Sequence, residues 1–363
     1  MRPWRPARVL AMTIAAAAIA GLLAACAHTV AGDAPAEARL ASAPLALPEM
    51  VDARGRFREI YCAVAADHGA ALPEHRPCEQ ALARLAEEPR PTGRPVALGP
   101  RRVDFTTVIV PGLLGECLRS DLDPYADSIG HVERLGYPAR IVRVGGRSGS
   151  GLNARQLAAA LGAPPLAQAR KLVLIGHSKG AVDILEAVAA FAELRRRVAA
   201  IVSVAGPIAG SPLADREDRW YVKLVENFPS FSCPRSDQAG VRSVSTIVRR
   251  EALETIARPR GVRTFSLGAV PLGEDDVSTL LRPFYDELSV HDRRNDGNVI
   301  YRDAVIPGSV LMGYVRADHF AVAVPFSRRR PVLAATLIDR NAFPREVLLE
   351  SILRFVEERL GEP

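Results

Sequence analysis

A continuous apolar run, Leu172 to Ile175, ends in Gly176-His177-Ser178-Lys179-Gly180, and an apolar-periodic stretch from Ala181 to Arg197 follows. The run reads as a buried parallel strand and the stretch after it as a helix. A strand that turns into a helix through Gly-x-Ser-x-Gly holds its serine on a very tight, strained turn. Glycine at 176 and 180 removes the Cβ atoms that would collide with the neighbouring strand and helix. Ser178 then stands exposed at the carboxyl end of a parallel strand, where open α/β sheets place their sites. It is the candidate nucleophile.

The surrounding chain fits that strand. Phe105 to Val110, Ala139 to Val144, Ala199 to Ala205, Val262 to Val270 and Val310 to Val315 read as further strands. Helical patterns alternate with them at Asp121 to Leu135, Asn153 to Leu161 and Arg345 to Arg359, the last with Val347, Leu348, Ile352, Phe355 and Val356 turned inward. This alternation predicts an α/β class fold, a doubly wound, mostly parallel sheet with helices on both faces. Between residues 206 and 260 it fails. That stretch carries Trp220, Tyr221, Phe228 and Phe231, then an amphipathic run with Val244, Ile247, Val248, Leu253 and Ile256 on one side. A cap or lid insertion and a plain pair of packing helices both fit it.

The front of the chain reads as an address. Arg2, Arg5 and Arg8 precede an apolar stretch from Val9 to Leu22, and Leu23-Ala24-Ala25-Cys26 follows. This is similar to a bacterial lipoprotein signal over residues 1–25, and the resemblance implies an exported protein held at a membrane by lipid on Cys26. Ala27, where retained lipoproteins carry Asp, favours the outer membrane by analogy. Residues 26–48, rich in Ala and Pro, read as a flexible tether. Residues 49–95 form a short N-terminal helical extension, and 96–363 the main domain. The remaining cysteines, Cys62, Cys78, Cys117 and Cys233, are even in number, which in an exported chain suggests two disulfides. Proximity favours Cys62 with Cys78, leaving Cys117 for Cys233. No Cys-x-x-Cys occurs, so no zinc or redox centre is indicated.

Much of the formal charge of +6 is arginine, three of which lie in the leader. The Arg195–Arg197 and Arg328–Arg330 clusters lack aromatic interleaving, which excludes nucleic-acid binding. Gly149-Ser150-Gly151-Leu152-Asn153-Ala154 matches a nucleotide-binding Gly-x-Gly-x-x-Ala. Gly145 and Gly146 lengthen its turn, however, and the next strand ends without an acid for a ribose, so no nucleotide is expected.

A serine hydroxyl needs a base in contact and a third group to orient that base. Only two histidines lie downstream of Ser178: His291 and His319. His319 follows the strand 310–315 and falls on the rim where Ser178 sits. His291 would need Asp275 or Asp276 as its acid. On a serine elbow the acid lies between serine and histidine, which favours Asp296 in Asn295-Asp296-Gly297, with Asp292, Asp275 and Asp276 as alternatives. Asp318 reads as a loop residue whose side chain points elsewhere. The backbone N–H groups of Lys179 and Leu113 are the expected oxyanion donors. The Lys179 side chain is expected in solvent, with a cleft-lining role as the alternative, and His177 in local packing or a local hydrogen bond.

Pro111-Gly112-Leu113-Leu114-Gly115, the Ser178 pentapeptide, and Asn295-Asp296-Gly297 with Asp318-His319 together resemble the α/β-hydrolase superfamily, and within it bacterial lipases and esterases. Many lipases carry His-Gly where this chain has Pro111-Gly112. The resemblance covers residues 102–360. It implies hydrolysis of carboxylic esters through an acyl-serine, with an ester or lipid-like substrate and no metal or organic cofactor. Acyltransferases, phospholipases and polyester depolymerases share the same set. A surface lipoprotein that only binds a partner is the non-enzyme alternative.

Overall fold

The computed structural model describes residues 45–362 except 119, 217, 228–235 and 257–260. Cys26 and Cys233 lie outside the described residues. The β-rich runs form one sheet: β1 (Val51–Asp52), β2 (Leu82–Ala83), β3 (Thr106–Val110), β4 (Ala139–Ile141), β5 (Leu172–His177), β6 (Val198–Val204), β7 (Arg263–Ala269) and β8 (Val310–Val315). Their order is β1-β8-β7-β6-β5-β3-β4, with every adjacent pair in that order parallel, and β2 joins β8 antiparallel. The longer helices are α1 (Arg54–Asp67), α2 (Ser150–Gly162), α3 (Lys179–Ala190), α4 (Thr246–Thr255), α5 (Arg282–Ser289) and α6 (Arg345–Gly361).

Alternate residues of each central strand face opposite layers. Val173 and Ile175 pack with Phe57 and Ile60 of α1 and with Leu348 and Ile352 of α6. Leu172 and Leu174 pack with Leu157 of α2 and with Ile184 and Val188 of α3. All of β5 is buried, which explains why its sequence is a continuous apolar run rather than an alternation. After β3 the chain moves outward to β4, then returns to the other side of β3 as β5. Loops leaving the carboxyl ends of β3 and β5 therefore diverge, and a crevice opens between them.

Several expectations needed correction. The helix expected from Asp121 to Leu135 forms only at Ile129–Arg134, because the chain turns at Pro124 and Tyr125, whose φ is +58°. The helix expected from Ala181 to Arg197 breaks at Phe191, so α3 is followed by a separate Ala192–Arg197 helix. The N-terminal extension is more than helical: β1 and β2 both pair with β8. Two-residue strands carry no period and leave no sequence signal. In α4 the buried side chain is Arg249, bound to Glu186 at 2.7 Å, while Ile247 is exposed. The apolar stripe of α6 faces inward as expected, but its polar residues Glu350, Arg354 and Glu357 are buried too, beneath α1 and the segment before β3.

Cys62 and Cys78 are disulfide-bonded and clamp α1 to the helix that begins at Cys78. Cys117 is also disulfide-bonded. No helix among the described residues is long and apolar enough to cross a membrane. The Cys62–Cys78 bond closes a loop of sequence separation 16. Replacing both cysteines with serine should lower the unfolding free energy by about 3 kcal/mol. Urea denaturation measures this, and a loss well under 1 kcal/mol would mean that α1 is held by packing alone.

Candidate active site

Ser178 joins β5 to α3 with φ +55° and ψ −134°, a conformation that costs a non-glycine residue about 1–3 kcal/mol. Its neighbours hold it there. Its N–H donates to the Val204 carbonyl at 3.0 Å. A Cβ on Gly176 would lie 2.3 Å from the Ala181 backbone, and one on Gly180 2.2 Å from the Val110 carbonyl oxygen. Both glycines therefore let α3 start directly against β3. A Cβ on Gly112 would lie 2.7 Å from Ser178 Cβ, so the loop after β3 passes immediately beside the serine.

His319 follows β8, and its Nε2 lies 2.8 Å from Ser178 Oγ. Its Nδ1 lies 2.8 Å from Asp296 Oδ2. The rings and carboxylate are buried, while Ser178 is half-buried and faces a cleft. Asp296 is fixed by its own turn: Oδ1 accepts from the N–H groups of Asn298 at 2.8 Å and Val299 at 2.7 Å. Gly297 closes that turn at φ +91°, a conformation suited to glycine. The His319 N–H also donates to the Asp296 carbonyl at 2.9 Å, so acid and base loops are joined by backbone as well.

The alternatives lie elsewhere. His291 and Asp275 are exposed. Asp292 pairs with Arg294 at 2.8 Å, and Asp276 with Arg316 at 2.7 Å. Asp318 points away from Ser178 and accepts from the N–H groups of Ser278, Phe320 and Ala321. Burial raises its carboxyl despite those bonds. It braces the loop that carries His319. His177 is buried beside His319 and donates from Nε2 to the His319 carbonyl at 3.0 Å. Burial, and then the adjacent His319, push its pKa down to about 3, so it is a neutral donor that holds the loop.

The structure corrects the expectation for Lys179. Its side chain is buried, and Nζ bonds both oxygens of Asp183 at 2.6 and 2.9 Å. Asp183 also accepts from Asn153 Nδ2 at 2.8 Å, and Asn153 donates to the Gly145 carbonyl at 2.9 Å. The next residue, Gly146, accepts from the Leu114 N–H at 3.0 Å and donates to Glu116. Burial raises the Glu116 carboxyl. A polar chain thus runs from the first turn of α3, through α2, to the loop carrying Leu113. The Lys179-to-Asp183 spacing of four on a helix was its one sequence signal. The Lys179 N–H, at the first position of α3, has no carbonyl four residues back within the helix, and Leu113 lines the cleft. At the start of α2 the Gly149 N–H is taken by Asp237 at 2.8 Å, so this chain's own carboxylate occupies the site a nucleotide phosphate would need.

The cleft above Ser178 holds about 300 Å³. Leu118, Leu122, Phe320 and Phe326 form one wall, and Leu213, Val222, Val241 and Phe284 another. The described part of the 206–260 insertion therefore lines the site. Trp220 and Leu280 stand exposed at the cleft.

A mostly parallel sheet with this serine turn, and a histidine and an acid on later loops, defines an α/β-hydrolase. No protein-family model matches the chain, and no curated protein matches it. Among solved structures, a metagenomic carboxyl esterase is 43% identical, with a TM-score of 0.81 over 89% of this chain and 98% of that one. The mature lipase of Bacillus licheniformis shares the fold at 21% identity and a TM-score of 0.50, over 67% of this chain and 95% of that one. The chain belongs to the carboxyl esterase family of α/β-hydrolases.

Because the strain at Ser178 is a backbone property, Ser178→Gly should raise stability by about 1 kcal/mol. Thermal unfolding of the purified variant checks this. A lower midpoint would show that the hydroxyl contact with His319 outweighs the strain.

Proposed function

We propose that the protein hydrolyses carboxylic esters through an acyl-serine on Ser178. The observation that carries this reading is the hydrogen-bonded line from Ser178 Oγ through His319 to Asp296. His319 Nε2 accepts the serine proton as Oγ attacks the carbonyl carbon, and the tetrahedral oxyanion takes hydrogen bonds from the Leu113 and Lys179 N–H groups. Collapse breaks the bond to the alcohol, which leaves with the proton held on Nε2. Water then attacks the acyl-serine by the same path, releasing the acid and restoring the hydroxyl. Asp296 keeps the other imidazole proton on Nδ1 and stabilises the imidazolium formed in each half. The apolar walls favour esters with aliphatic or aromatic groups on either side of the bond.

A fluorophosphonate probe should label the wild-type protein and leave Ser178→Ala unlabelled. Equal labelling of both would overturn the assignment. With a p-nitrophenyl ester, Asp296→Asn should lower kcat by about ten-thousandfold while the fold is retained. A variant with near-normal kcat would remove Asp296 from the mechanism.

The leader supports a second part of the reading: export and lipid attachment at Cys26, with the outer membrane as destination. Cells fed an alkyne-tagged palmitate should yield labelled protein, and Cys26→Ser should abolish the label. Persistence of the label in that variant would refute the anchor.

A further inference from the structure

Three segments distant in sequence meet at one buried carboxylate that does not line the cleft. His68 caps the carboxyl end of α1, His131 lies in the Ile129–Arg134 helix, and Glu350 is in the middle of α6. His68 Nδ1 is 2.9 Å from Glu350 Oε2 and 3.0 Å from Oε1, and His131 Nε2 is 2.7 Å from Oε2. The candidate ligand atoms all lie within 4.8 Å of one another. The geometry points to a divalent-metal site formed by His68, His131 and Glu350, with zinc the ion this donor set suits.

Two imidazole nitrogens and a carboxylate oxygen are zinc ligands, with a water completing four-coordination. The outer partners are those such ligands need. The second ring nitrogen of His68, Nε2, lies 3.1 Å from Asp67 Oδ2, a carboxylate that would hold the remaining ring proton once Nδ1 ligates. The other Glu350 oxygen accepts from Arg354 Nε at 2.6 Å, which sets the plane of the carboxylate. Asp67 and Glu350 together outweigh Arg354, so the local charge favours a cation. Bonds of about 2.0–2.1 Å in a tetrahedral site place donors about 3.3 Å apart. The present 2.7–2.9 Å contacts therefore need to open by only about half an ångström. The Glu350 side chain has no exposure, and the His131 side chain is 10% exposed. The His68 side chain is 25% exposed, which leaves an entry route. Each contact to Glu350 Oε2 carries a ring proton that a bound metal would displace. The consequence is structural: one ion would pin the N-terminal extension to α6 and to the helix after β3, independently of the chemistry at Ser178.

The test uses the full chain, stripped with a chelator and titrated with zinc at about neutral pH. Calorimetry should find one equivalent bound, with a rise in the thermal midpoint and unchanged turnover of a p-nitrophenyl ester. His68→Asn and His131→Asn should each weaken zinc binding by at least about tenfold. Circular dichroism checks that they fold. Should His131→Asn fail to fold, the partly exposed His68 still decides the matter. Absence of zinc uptake by the wild type, or equal uptake by wild type and His68→Asn, would overturn the site.

Discussion

Ser178 cannot relax. Its left-handed φ is enforced by β5 on one side and α3 on the other, and Gly176, Gly180 and Gly112 allow three backbones to close around it. The buried strand β5 and the helix packed on it supply the stability that keeps this local strain in place. Because the serine sits beside the β3 loop, any group that fixes that loop also fixes the geometry around Oγ. The Lys179–Asp183–Asn153 chain and the Gly146 contacts to Leu114 and Glu116 do this from the side of Leu113. His177 and Asp318 brace the loop that carries His319 instead. The polar groups nearest the serine are thus largely scaffolding, which suits chemistry that depends on preorganised donors.

The same economy appears at the other face of the sheet. From Arg345 to Glu357 α6 is buried on all sides, so the charged residues there must be paired internally. Glu357 accepts from Tyr137 and the backbone at Val103, and Arg354 donates to the carbonyls of Ala97, Leu98 and Gly99. These bonds dock the segment before β3, while the Cys62–Cys78 bond stiffens the extension above it. A helix that reads as amphipathic in isolation is in fact a central pillar.

How much of this was legible in the sequence follows from the range of the signals. β5 and the turn after it were readable because the strand, the glycines and the helix are contiguous. Asp296 and His319 were reachable through chain order and the scarcity of downstream histidines, since their contact itself spans residues far apart. Edge strands β1 and β2 were not legible, because each has only two residues and so no period, and each pairs with β8 from far along the chain. The burial of Lys179 was missed because a lysine alone reads as a solvent residue. Its partner four positions on was the clue, and Asn153, on another helix, had none. The polar face of α6 was misread for the same reason: what covers it comes from the other end of the chain.

The central claim is that Ser178 forms the covalent intermediate. Its most direct test is rapid mixing of the enzyme with a p-nitrophenyl ester, followed by acid quench and peptide mass spectrometry. The account predicts a burst of nitrophenolate matched by acyl mass on the peptide containing Ser178. Turnover with no acyl-peptide there, or with the acyl group on another residue, would contradict it.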